Sequence, residues 1–60
     1  MKEYKEKVEV ALRKLGAGAS LATSLVNTRM ALVERALEND RPAADIAKTL
    51  WSNHMERFNR

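Results

Sequence analysis

Few residues in this chain could do chemistry, and their spacing limits what that chemistry would be. His54 is the single histidine and cysteine is absent, so a metal site lacks its usual ligands and none is expected. As a general base, His54 would need a nucleophile within hydrogen-bond reach. Ser52 is two residues away, and side chains two apart on a helix point to different faces. The "GAGAS" stretch at 16–20 offers free backbone N–H groups of the kind that hold phosphates at a helix start. It lacks the Lys-Ser/Thr ending of a phosphate loop, and a helical pattern rather than a strand precedes it, so it reads as a turn. No catalytic residue, cofactor or small-molecule substrate is expected, and the chain reads as a non-enzyme.

Binding chemistry is better represented. "DIAKTL" at 45–50 matches the first half of a DNA-reading helix-turn-helix, with Ile46, Ala47 and Leu50 at the apolar positions. The second half departs from that pattern. Trp51 stands where the turn needs Gly, Ser52 where it needs an apolar anchor, and Arg57 and Arg60 where the reader helix needs core residues. Asn53, His54, Arg57, Asn59 and Arg60 are of types that contact bases and phosphates. One continuous amphipathic helix is the simpler expectation, with nucleic-acid binding through this degenerate motif or a basic helix face as the alternative.

Two further features stand out. Arg29 sits amid an apolar helix face, where its stem can lie over Leu25 and Val33 with the guanidinium in water. Its other roles would be to pair with Glu34, Glu38 or the C-terminal carboxylate across a dimer seam, or to meet a phosphate. Trp51, Met55 and Phe58 cluster at helical spacing beside His54 and Arg57. Trp, Met and Arg are favoured anchors at interfaces, so Trp51, His54, Met55, Arg57 and Phe58 form the expected partner-binding set.

The elements that must carry these residues are helical. "GAGAS" and "NDRP" (39–42) are the two breaks, and between them apolar residues recur with helical period. A first helix over 2–15 places Tyr4, Val8, Ala11, Leu12 and Leu15 on one face, with Glu9 set to pair with Arg13 and Gly16 to cap the end. A long central helix over 20–38, capped by Ser20, carries two stripes: Leu21, Leu25, Leu32 and Ala36, then Ala22, Val26, Met30, Val33 and Leu37. A third helix over 42–58 has Pro42 in its first turn and Asp40 or Asp45 near its positive end. Its apolar arc runs through Ala43, Ala44, Ile46, Ala47, Leu50, Trp51, Met55 and Phe58. Both arcs span roughly 180°, wider than the ~100° that one core needs. The fold class is therefore an all-α three-helix unit, a single domain over 1–60, paired as a homodimer through Leu21, Leu25, Arg29, Leu32, Val33 and Ala36.

Composition bounds the rest. Sixty residues bury only about 60% of their unfolded surface, so such domains often lean on a staple or a partner chain. The longest apolar run, "MALV" at 30–33, is too short to span a membrane. "MKEYKEKVEV" lacks the apolar stretch of a signal peptide, and a cysteine-free chain fits a reducing cytoplasm. The net charge is +3, with five Lys/Arg against three Glu in 1–20, two against three acids in 21–40 and four against two in 41–60. Interleaved charges of this kind make a solvated surface rather than a polyanion-binding stripe. The expected function is a non-catalytic regulator that binds and modulates a partner protein, in the manner of small phage, plasmid or antitoxin-like products.

Overall fold

The computed structural model describes residues 2–58, with side chains through Glu56. Four helices follow one another: α1 (Lys2–Leu15), α2 (Ala19–Thr28), α3 (Met30–Glu38) and α4 (Ala43–Phe58). The chain is all-α, and α1 has the bounds its periodicity predicts. α4 starts one residue later than predicted, with Pro42 just outside it. The central helix is not continuous, and this is the main departure from expectation.

The turn after α1 shows how local sequence sets direction. Gly16 adopts φ +122°, a conformation that L side chains rarely take. Its N–H donates to the Arg13 carbonyl at 3.1 Å and the Ala17 N–H to the Leu12 carbonyl at 3.1 Å. This is a Schellman stop, completed by burial of Ala17 and Leu12 together. The stop fixes where α2 can begin. Extended Gly18 takes the N-cap position with no side-chain cap, displacing the expected Ser20. Gly16→Ala should lower stability by about 1 kcal/mol or more, because Ala resists positive φ. A thermal melt lowered by about 4–8 °C is expected; an unchanged melt would refute the assignment. α3 ends by the same hydrogen bonds, Asp40 N–H to the Leu37 carbonyl and Arg41 N–H to the Ala36 carbonyl. Here Asp40 takes the left-handed position at φ 55°, a conformation Asp tolerates better than most residues. Asp40 thus closes α3, and Asp45 is the acid in the first turn of α4.

Polar ties give the helices their order. The Thr23 hydroxyl donates to Glu9 Oε1 at 2.6 Å, so α2 runs back along α1, and Glu9 serves this contact. The Tyr4 hydroxyl donates to the Arg41 carbonyl at 2.9 Å, tying the start of α1 to the start of α4. Burial pushes the Tyr4 phenol above its ordinary pKa, the Asp45 carboxylate adds to the rise and Arg41 opposes it. The phenol therefore stays protonated and able to donate across the neutral range. At the far end, a Cβ on Gly16 would sit 3.6 Å from Trp51 Cζ2. With both ends matched, α4 lies beside α1 and runs the same way. α1 packs most extensively against α4, then against α2.

The core is Val8, Leu12, Ala17, Ala22, Val26, Val33, Ala36, Ile46, Ala47 and Leu50. No polar or charged residue among those described is buried. On the central segment the buried positions are 22, 26, 33 and 36, which follow the 4–3–4–3 spacing of a seam facing one partner surface. The seam position between Val26 and Val33 is Arg29. A straight helix would aim that guanidinium into an apolar core with no acid near it, which would cost several kcal/mol. The helix breaks there instead. Arg29 takes φ −113° and ψ 35°; its N–H still donates to the Leu25 carbonyl, and its own carbonyl accepts from both Leu32 and Val33. Asn27 and Thr28, weak helix formers, precede the break.

Candidate interaction surface

Residues from both expected binding sets line one groove. α2 supplies Leu21, Ser24, Leu25 and Thr28, the α2–α3 break supplies Arg29, and α4 supplies Leu50, Asn53 and His54, around a volume of about 270 Å³. Leu21, Leu25, Arg29, Asn53 and His54 are half-buried, and Leu50 forms the floor. Among the described residues, no acidic side chain lines the groove. The Arg29 side chain has no hydrogen-bond or ion-pair partner among the described residues. No buried side-chain nitrogen there is unsatisfied, so water reaches its guanidinium. At the break the cation therefore stands on the wall of a groove in which Leu21, Leu25 and Leu50 are set among Ser24, Thr28, Asn53 and His54.

Other predicted residues fall elsewhere. Val33 and Ala36, expected at a dimer seam, are enclosed in the core of the protomer and offer no surface to a second copy. Leu32 is half-buried and packs against the same core. Ala36 of the first stripe and Ala22, Val26 and Val33 of the second lie along one seam, and that seam is the core face. Trp51 also packs against that core, over the Gly16 turn, and its ring lies 5.7 Å from the His54 ring at a tilt of 34°. Met55 remains 40% exposed. The Arg57 and Phe58 side chains, with Asn59 and Arg60, lie outside the described residues.

The helix-turn-helix alternative needs a turn at Trp51–Ser52. α4 passes through both residues without a break, and Ile46, Ala47 and Leu50 are core. "DIAKTL" packs.

No protein-family model, curated protein or solved structure matches the chain.

A second surface went unnoticed in the sequence. Val10 is 47% exposed and stands over a shallow groove of about 540 Å³ between α1 and α4. Its signal was available as one apolar residue on the charged side of the first helix. Among the described residues no group of His, Asp or Glu side chains gathers as a metal site would require. None of the described helices is long and apolar enough to cross a membrane.

Proposed function

We propose that the protein is a small non-catalytic regulator that acts as a homodimer and binds a partner protein through the α2–α4 groove. One observation supports the partner-binding reading: among the described residues, a half-buried arginine has no partner and is set with Leu21, Leu25 and Leu50 in a groove that holds no acid. An apolar pocket with few, well-placed polar groups is what recognition sites look like. Its charge calls for a segment that presents a carboxylate next to apolar side chains, since Arg binds carboxylates in a two-pronged, oriented way. The dimeric part follows from the size of the chain and from apolar side chains such as Val10 and Met55 that the protomer leaves uncovered.

A peptide-display selection tests the partner reading. Random peptides enriched on the wild-type protein should carry Asp or Glu beside Leu-like residues. Their affinity should fall at least about ten-fold on Arg29→Gln, the equivalent of ~1.4 kcal/mol. Peptides without an acid, or ones that bind both proteins equally, would refute it. If the peptide pool gives nothing while duplex DNA or RNA binds with affinity that falls steeply with salt, the protein is a nucleic-acid binder instead.

A further inference from the structure

We infer that the α1–α4 groove is the seat of a second copy of this chain, laid antiparallel about Val10. The inference rests on the dimeric part of the reading above and is independent of the partner groove. Ala11, Ala43 and Ala44 line the groove, and small side chains let a neighbouring helix approach closely. Val10, at 47% exposure the least covered large apolar side chain among those described, stands over them.

Charge selects the occupant. Glu3 and Glu6 line one end of the groove and Lys14 the other. A two-fold contact sets each helix against itself running the other way, so a surface with opposite signs at its two ends complements its own copy. Glu6 and Lys14 lie four residues on either side of Val10, about 6 Å along the axis each way. With Val10 against Val10, each Glu6 meets the other copy's Lys14. Lys7, also in the groove, lies four residues after Glu3, whose carboxylate offsets it on the same helix. Among the described residues the α2–α4 groove lacks this property: two copies meeting there would oppose Arg29 with Arg29 and bring no acidic lining residue between them. Apolar cover is modest beside the roughly 800 Å² per partner of a standard interface, so the dimer is a weak one.

Charge reversal tests the seam by sedimentation equilibrium over about 10 µM to about 1 mM, the range of weak association. Glu6 and Lys14 are both exposed, so their variants should keep the wild-type helical signal. Glu6→Lys and Lys14→Glu should each weaken dimerisation about ten-fold or more, and the double variant should restore it to within a few-fold. Restoration isolates the pair, because Glu6 and Lys14 are too far apart on one helix to meet within a protomer. A wild-type dimer unmoved by either single reversal, or not restored in the double, would overturn this seam and leave the dimeric reading standing. A wild type that is monomeric across the whole range would overturn both.

Discussion

Leu50→Ala should remove a large share of the protein's stability. Leu50 is 1% exposed and among the largest fully buried side chains, sitting where α4 meets the rest of the core. Truncating a buried Leu removes about 2–5 kcal/mol through lost transfer energy and the cavity left behind. At 0.05–0.15 kcal/mol per residue, a chain of 60 residues has about 3–9 kcal/mol in all. Four of the ten core residues are Ala and have little side chain to move into the space. The midpoint followed by far-ultraviolet circular dichroism should fall by at least about 10 °C. Met55→Ala is the matched control: at 40% exposure it should shift stability by less than about 0.5 kcal/mol. A Leu50→Ala protein that melts like wild type would mean that α4 is not anchored as described.

The parts of the fold legible in the sequence are those where a single local rule decides. α1 ends at Leu15 because Gly16 alone can take the positive φ of the stop, and its face is read from Tyr4, Val8 and Leu12. α4 is fixed by Pro42 before it and by Ile46, Ala47 and Leu50 within it. The α2–α3 break was not legible, since no Gly or Pro marks it and apolar residues keep their period across it. Arg29 holds the seam position at the break, and what that position would meet depends on where α1 and α4 lie. The over-wide arcs also misled. Val33 and Ala36 were placed in different stripes, yet as i,i+3 neighbours within α3 they share one face and both are buried. For the binding surface, residue types were readable: Leu21, Leu25, Arg29 and His54 were all singled out. Their convergence on one groove was not, because α2 and α4 meet only through the tertiary fold.

Arg29→Leu should make the protein more stable and abolish partner binding. The substitution fills the one seam position between Val26 and Val33 that is not apolar, so the reason for the break disappears. Replacing a buried ion pair with apolar groups of similar volume ranges from neutral to stabilising by 1–4 kcal/mol, and Arg29 has no acid partner among the described residues to lose. Because the guanidinium is already partly in water, the gain should lie at the low end, about 1–2 kcal/mol, seen as a midpoint raised by about 4–16 °C. Asn27 and Thr28 stay in place, so recovery of a continuous helix tests whether Arg29 or its weak helix-forming neighbours cause the break. Amide hydrogen exchange at residues 30–32 separates these causes: slowed exchange means the ladder has closed through the segment. The same variant should bind carboxylate-bearing peptides at least about ten-fold more weakly. Local conflicts in an otherwise consistent sequence tend to fall at functional sites, where stability is given up for activity. A stabilised variant that has lost binding would identify Arg29 as such a site. If Arg29→Leu gained stability and still bound the selected peptides as wild type does, the break would be a packing accident and the groove would have no call for a cation.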